Sequence, residues 1–335
     1  MPVLIDKAAL GPLAARFDEA LELVHNEFSG LDCDRQYRNT FARLLKADPL
    51  GRVLMMGTDQ RDLFMPALRA VVAEFVPAGG NVLDLGAGDG QTFALIADAF
   101  PAGTTVSFEE PNAGYFADYQ QVLGRFPHLR PGAALASPFD ELDVTRGGVG
   151  AGVPADASQH LVMALHMIYF LADLPAGLLR MARFVRPGSA LFIVVADETT
   201  GYTGMALRAF AASRGAGGDH AAQLAAIAQR QDLLGPSPDG VLLSMLRTQL
   251  PGSEFSLETV RQPTRLYGHC LADLIALASI AELAEIEDLS KFDVACELLR
   301  SAPESVDLRI EDEGPRAGMW SVRQPQFVAV LRRRG

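Results

Sequence analysis

Cysteine is scarce in this chain. Cys33, Cys270 and Cys296 are the only three among 335 residues, too few and too scattered for a disulfide framework or a zinc knuckle, and a reducing, cytoplasmic setting is expected. The histidines at 25, 128, 160, 220 and 269 form no ligand spacing with one another or with a cysteine, so no metal is expected. Positive charge is also in deficit: 29 Lys and Arg stand against 41 Asp and Glu, a net charge of -12. That balance repels polyanions and removes the electrostatic attraction that dominates nucleic-acid binding, so DNA and RNA are not expected partners. The closing "LRRRG" reads as the solvated end of a final strand. No uninterrupted apolar run reaches about 18 residues, and "MPVLIDKAALGPLAARF" lacks a basic region followed by a long apolar one. Neither a membrane span nor an export signal is expected. Internal repeats and low-complexity blocks are missing as well.

What is present is a chain 49% hydrophobic and 21% charged, the composition of a folded globular enzyme. Its length exceeds the roughly 100 to 200 residues of one domain, which calls for one large core with an added cap, or for two domains. Phe17, Leu21, Val24 and Phe28, and again Phe64, Leu68, Val71 and Phe75, fall at helical spacing. Residues 1–77 therefore read as a helical cap, and 78–335 as the main domain with a helical insertion at about 200–250.

From "NVLDLG" onward, short apolar runs alternate with helical stretches: "TTVSFEE", "GYFADYQQVLGRF", "AALA", "HLVMALHM", "LPAGLLRMARFV", "ALFIVVA". This alternation predicts βαβ units and an α/β fold, a Rossmann-like, mostly parallel sheet covered by helices on both faces. "RPGS" is a turn before the fifth strand. Further on, "GAGG" and "GPSPDG" interrupt helices of a lid or pocket wall; "EFSLETVRQPTRLY" is a strand, "LADLIALASIAELAEI" a buried helix and "QFVAVLRR" a terminal strand. The C-terminal end is expected to complete a seven-stranded sheet.

"VLDLGAGDGQTF" decides what such a sheet can bind. A nicotinamide fingerprint wants G-x-G-x-x-G, but Gly86, Gly88 and Gly90 give G-x-G-x-G, with Gln91 where the third glycine belongs. No Gly-Lys-Ser/Thr follows, so a P-loop is excluded. Asp84 and Asp89 would oppose a phosphate and favour a cationic ligand. S-adenosylmethionine carries a sulfonium and an ammonium, and its ribose wants a carboxylate about 20 residues beyond the loop; "SFEEPN" supplies Glu110. A nicotinamide-dependent oxidoreductase conflicts with Gln91 and Asp89.

The chain here resembles the class I S-adenosylmethionine-dependent methyltransferases over about residues 78 to 200: "VLDLGAGDG" looks like their motif I and Glu110 like their ribose-binding acid. A narrower resemblance, to histamine N-methyltransferase and its bacterial relatives, rests on "EEPN", "LHMIYFLADLPAGL", "IVVADETTGY" and "MWSVRQPQFVAVL". It implies a cofactor set of Asp84, Gly86, Ala87, Gly88, Gln91, Glu110, Pro111, Ser137 and Leu165. Of these, Gly86 would lie against the methionine part, Glu110 would hold the ribose, Ser137 would meet the adenine end and Leu165 would touch the cofactor at the end of the fourth strand. It also implies a substrate pocket of His166, Tyr169, Tyr202 and Arg323, the first two also in catalytic roles.

Each residue has a plainer role to set beside this one. Asp84 could serve only to fix the loop. Glu109 is expected to be solvated or paired with a base. His166 and Tyr169 could be core residues, although the fourth strand's C-terminal end is where substrate and cofactor meet in an open α/β sheet. His166, with an ordinary pKa of about 6.5, could accept a proton near neutrality. His25 and Glu27 could close a pocket but suit a solvated helix face better, Trp320 suits packing more than an aromatic wall, and Tyr202 suits the two equally. An inward Arg323 would call for a substrate with a carboxylate or another acceptor. The implied activity is methyl transfer to a small polar metabolite (amine, amino acid or thioether acid) by in-line displacement, with N- or S-methylation favoured; the alternative is a binder of the same fold that transfers nothing. The oligomeric state stays open, a homodimer included.

Overall fold

The computed structural model describes all residues except 1–2, 6–10, 48–52, 143–152, 215–219, 236–239, 281–282 and 285. The "GAGG" segment and most of "GPSPDG" lie outside the described residues. The chain divides into two compact units that interleave along the sequence, one comprising 1–60, 196–231 and 263–326, the other 61–195, 232–262 and 327–335.

The second unit holds the large sheet. Its strands are β1 (Asn81–Leu85), β2 (Thr105–Glu109), β3 (Arg130–Leu135), β4 (Gln159–Leu165), β5 (Val185–Ala196), β6 (Phe255–Gln262) and β7 (Gln326–Arg333), in the order β3-β2-β1-β4-β5-β7-β6. Pairing is parallel from β3 through β5. Side chains alternate between two apolar layers, as the two-residue period of a strand requires. Val82, Val106, Leu161, Met163, Phe192 and Val194 pack with Phe64, Leu68, Val71 and Val72 of helix α1 (Gln60–Phe75). Their neighbours Leu83, Leu85, Val162, Ala164, Leu191 and Ile193 pack on the opposite layer with Leu178 and Met181 of the helix Leu174–Phe184. Apolar residues on both faces explain why these strands read as continuous hydrophobic runs. The helix α1, expected as part of an N-terminal cap, contributes its buried stripe to this sheet.

Strand order reverses between β1 and β4: the chain runs outward from β1 to β2 to β3, then crosses back to β4 and continues to β5. An open α/β sheet binds its ligands outside the carboxyl ends of the strands at such a switch point. Two expectations need correction. "RPGS" is not a turn ahead of the fifth strand but lies within β5: Gln159 pairs with Val185 and Leu161 with Ala190, so His160 alone stands opposite Arg186–Ser189. "EFSLETVRQPTRLY" is two strands, β6 and Arg265–Gly268 of a separate sheet, because Pro263 has no N–H to continue a ladder.

The first unit packs helices Ala14–Phe28, Cys33–Ala42, Tyr202–Arg214, Leu271–Leu277 and Ser290–Ser301 with a four-stranded sheet in the order Val3–Leu4, Arg309–Ile310, Trp320–Arg323, Arg265–Gly268. Phe17, Val24, Phe28, Phe210, Leu274, Phe292 and Val322 form its core. The expected long helix at "LADLIALASIAELAEI" is described as α-helical over Leu271–Leu277, with six of those seven residues buried, and as a 3-10 turn at 283–284. Among the described residues no helix is long and apolar enough to cross a membrane.

Candidate functional site

The glycine loop emerges from β1 at the switch point. Gly86 has φ 58°, and a Cβ there would lie 2.3 Å from Met167 Cβ, so only glycine lets this turn pass beside the end of β4. Gly88 also has a positive φ, 60°, yet a Cβ on it would meet nothing within 4 Å. The backbone here faces open space, which is what close approach by a ligand needs.

Four carboxylates surround this loop, three of them bonding to its amides. Glu109 Oε2 accepts the Gly86 N–H at 2.9 Å, Glu110 Oε2 accepts the Gly88 N–H at 2.8 Å, and Asp89 Oδ1 accepts the Gln91 N–H at 3.0 Å. Glu110 Oε1 also takes the Asn112 N–H at 2.8 Å, and the Ala87 N–H donates to the Glu109 carbonyl at 2.9 Å. Asp84, inside β1, accepts from the buried Tyr119 hydroxyl at 2.9 Å. Tyr119 sits on the helix Ala113–Leu123, which starts at Asn112, whose side chain accepts the Gly114 and Tyr115 N–H groups. Glu109 was expected to be solvated or to pair with a base; it is instead 2% exposed and bonded to the loop. Alternation explains this: Glu109 is the last residue of a strand buried on both faces.

Burial pushes Asp84 up to about 7, with Glu109 and Glu110 raising it further and the Tyr119 hydrogen bond opposing. Burial likewise pushes Glu109 up to about 7, against the Gly86 bond and with Glu110 and Asp140 adding to it. In the unfolded chain these carboxyls lose their protons near pH 4, so between about pH 4 and about pH 7 the native state holds more protons and stability declines as pH rises. Asp84→Asn removes one of the two groups responsible. The melting temperature of this variant relative to wild type should therefore climb as pH rises from about 5 to about 8; a constant or falling difference across a melting series would contradict the shift.

Residues from neighbouring strand ends join the loop. The Glu110 N–H donates to the Leu135 carbonyl at 3.0 Å, and Ser137 follows β3 two residues later, exposed, as is Pro111. Leu165 ends β4 and is half-buried. His166 follows it in the left-handed region, φ 56°, its N–H donating to the Val194 carbonyl at 2.9 Å. A histidine there is backbone strain of the kind that persists at functional sites. Its Nδ1 lies 3.3 Å from the Tyr169 hydroxyl, with the two rings inclined by 12°.

Tyr202 and Arg323 belong to the first unit. Tyr202 is fully buried in that unit's core and its hydroxyl donates to the Leu274 carbonyl at 3.0 Å. Arg323 Nη2 donates to the Ser305 carbonyl at 2.9 Å, which engages the guanidinium with its own unit's backbone. His25 Nε2 lies 3.2 Å from Asp293, and Glu27 pairs with Arg43, as on a helix surface. Trp320 is packed in the same core. Among the described residues no group of three His, Cys, Asp or Glu could hold a metal ion.

One residue of the second unit was not expected. Arg61 stands in the first turn of α1, where the helix dipole disfavours a cation. Burial holds its guanidinium below the ordinary value, against the fields of Asp62 and of Asp89 in the glycine loop. Its Nε is buried with no hydrogen-bond partner among the described residues. The signal in the sequence was a charge of the wrong sign for a helix start.

No family model matches the chain, and no curated protein does. Among solved structures it is similar to one chain of the complex of the Haloferax volcanii Trm112 methyltransferase activator, at 20% identity over 41% of this chain and 56% of that one, TM-score 0.30. It is also similar to a SAM-dependent methyltransferase from Aquifex aeolicus, at 14% over 50% and 74%, TM-score 0.34. A third likeness is to the [4+2]-cyclase SpnF, at 13% over 80% and 81%, TM-score 0.41. The chain thus spans little more than half of the first of these. Likenesses this distant add no residue-level support to the geometry.

Proposed function

We propose that the chain is an S-adenosylmethionine-dependent methyltransferase acting on a small polar metabolite, an amine, amino acid or thioether acid, with N- or S-methylation favoured. Glu110 carries this reading. Its carboxylate stands at the tip of β2, one strand from the switch point, and its Oε2 is fixed on the Gly88 N–H at 2.8 Å. A carboxylate so placed can accept from the two ribose hydroxyls. With Asp89 it makes the loop hostile to a pyrophosphate and hospitable to a sulfonium and an ammonium.

The residues present fit that cofactor chemically. Gly86, Ala87 and Gly88 offer backbone at close approach, with Gln91 opening the short helix behind them; Glu110, Pro111 and Ser137 would hold the adenosine, and Leu165 would supply an apolar contact at the end of β4. Arg61 is the cation suited to the methionine carboxylate. When bound, the cofactor supplies a methyl group on a positively charged sulfur, open to in-line attack.

The protein's part is to align the acceptor, with reacting atoms about 3 to 3.5 Å apart, and to manage its proton. A thioether needs no base, whereas a protonated amine must lose a proton first. For His166 to take that proton at Nε2, its Nδ1 must carry the ring proton and donate to the Tyr169 oxygen 3.3 Å away. The Tyr169 hydroxyl can accept that proton, so the contact is compatible with this tautomer.

Replacing His166 by alanine should lower kcat by about 10²- to 10⁴-fold for an amine acceptor with cofactor affinity retained. Initial rates and calorimetry on the same variant check both halves, and loss of cofactor binding would mean that His166 is wrongly assigned. Formation of S-adenosylhomocysteine with a panel of amines, amino acids and thioether acids tests the activity itself. Binding without turnover of any acceptor would point instead to a binder of the same fold.

A further inference from the structure

The amino-terminal edge of the large sheet carries a second concave feature. A recess of about 350 Å³ opens there, walled by the end of α1 at Glu74 and Phe75 and by His160, Arg186 and Gly188. It belongs to the second unit alone and lies at the other end of β1 and β4 from the glycine loop. The looped-out stretch Arg186–Ser189, opposite His160, makes the space.

The chemistry of its polar wall is unusual. The Asn81 N–H donates to His160 Nδ1 at 3.0 Å, which leaves the ring proton on Nε2. Arg186 Nη1 lies 2.8 Å from that same Nε2, and a guanidinium has no acceptor to offer. Two donors therefore face each other at hydrogen-bond distance. Turning the ring over would set a carbon against the Asn81 N–H and give up that bond. Burial and the Arg186 charge both hold the His160 pKa below its ordinary value, which favours the neutral ring. Arg186 has no carboxylate partner among the described residues; Glu74, the acid on the facing wall, lies 3.9 Å from Arg332. At Gly188, φ 75°, a Cβ would meet nothing within 4 Å.

We propose that this recess binds a small oxyanion, a phosphate or carboxylate group, between His160 Nε2–H and the Arg186 guanidinium. One oxygen accepts from both donors once the exposed Arg186 side chain swings aside by a rotamer, which replaces the donor-to-donor contact with two charge-assisted or neutral hydrogen bonds. The site is independent of the methyl-transfer reading.

Titrating inorganic phosphate, glycerol phosphate and acetate at constant ionic strength, while following the His160 ring nitrogens by NMR, tests the proposal. A saturable shift of the Nε2 signal is expected from at least one of the three, with chloride inert. Arg186→Gln, a surface change, should weaken that response at least tenfold, and Arg186→Lys should keep part of it. Inorganic phosphate acting alone marks a free-ion site, a stronger response to glycerol phosphate marks a phosphorylated metabolite, and one to acetate marks a carboxylate ligand. No saturable shift, or an unchanged response in Arg186→Gln, overturns the proposal. Calorimetry of Arg186→Gln with S-adenosylmethionine should match wild type, so failure here and failure of the functional reading are distinguishable.

Discussion

Glu110→Ala is expected to weaken S-adenosylmethionine binding by about 10- to 150-fold, the equivalent of losing one hydrogen-bonded charge worth about 1.5 to 3 kcal/mol. Two losses combine in this variant. The proposed acceptor for the ribose hydroxyls goes, and the Gly88 and Asn112 N–H groups that its two oxygens hold at 2.8 Å lose their partner, which loosens the loop. Glu110→Gln keeps one oxygen acceptor and should fall between the two. Isothermal titration checks the ratio, and circular dichroism checks that the sheet survives. An alanine variant that binds as wild type does would remove Glu110 from the site.

The glycine loop gives the second large effect, and a contrast within it. In Gly86→Ala the new methyl would lie 2.3 Å from Met167 Cβ on a backbone at φ 58°, so both overpacking and left-handed strain act. Together they cost about 2 to 5 kcal/mol, and cofactor binding should be lost with the loop's path. In Gly88→Ala, φ 60° with nothing within 4 Å, only strain of about 1 to 2 kcal/mol applies. The melting temperature should therefore fall much less than for Gly86→Ala, yet affinity should drop sharply, because the added methyl enters the space in front of the loop. Equal melting temperatures for the two variants would contradict the close approach at Gly86, and normal affinity of Gly88→Ala would mean that the space is not the ligand's.

Much of the large sheet is legible in the sequence because its physics is local. Runs such as "NVLDL" and "ALFIVVA" are apolar on both faces, and the change of period to helical spacing between them marks each crossover. The place of Glu110 just past the end of β2 was legible too, since it depends only on spacing from the glycines. Glu109 was not: two adjacent acids look alike in sequence, and only the pleat decides that one turns into the sheet beneath Gly86. Arg61 was hidden for a similar reason, because its proximity to Asp89 depends on where α1 lies against a loop some 25 residues on. The interleaving of the units was out of reach as well. Pro263 marks the break that sends one apolar stretch into two sheets, but nothing local says that Tyr202 joins the core of Phe17 and Phe292. Resemblance in the "TTGY" and "SVRQ" stretches implies a pocket for Tyr202 and Arg323; within the first unit their side chains bond the Leu274 and Ser305 carbonyls.

The central claim is that the acidic glycine loop and Glu110 form a site for a cationic adenosyl cofactor. Titrating S-adenosylmethionine and, separately, NADH into the wild-type protein by calorimetry tests it most directly. Saturable binding of S-adenosylmethionine with none of NADH is the expected result; binding of NADH alone, or heat from neither ligand, would contradict it.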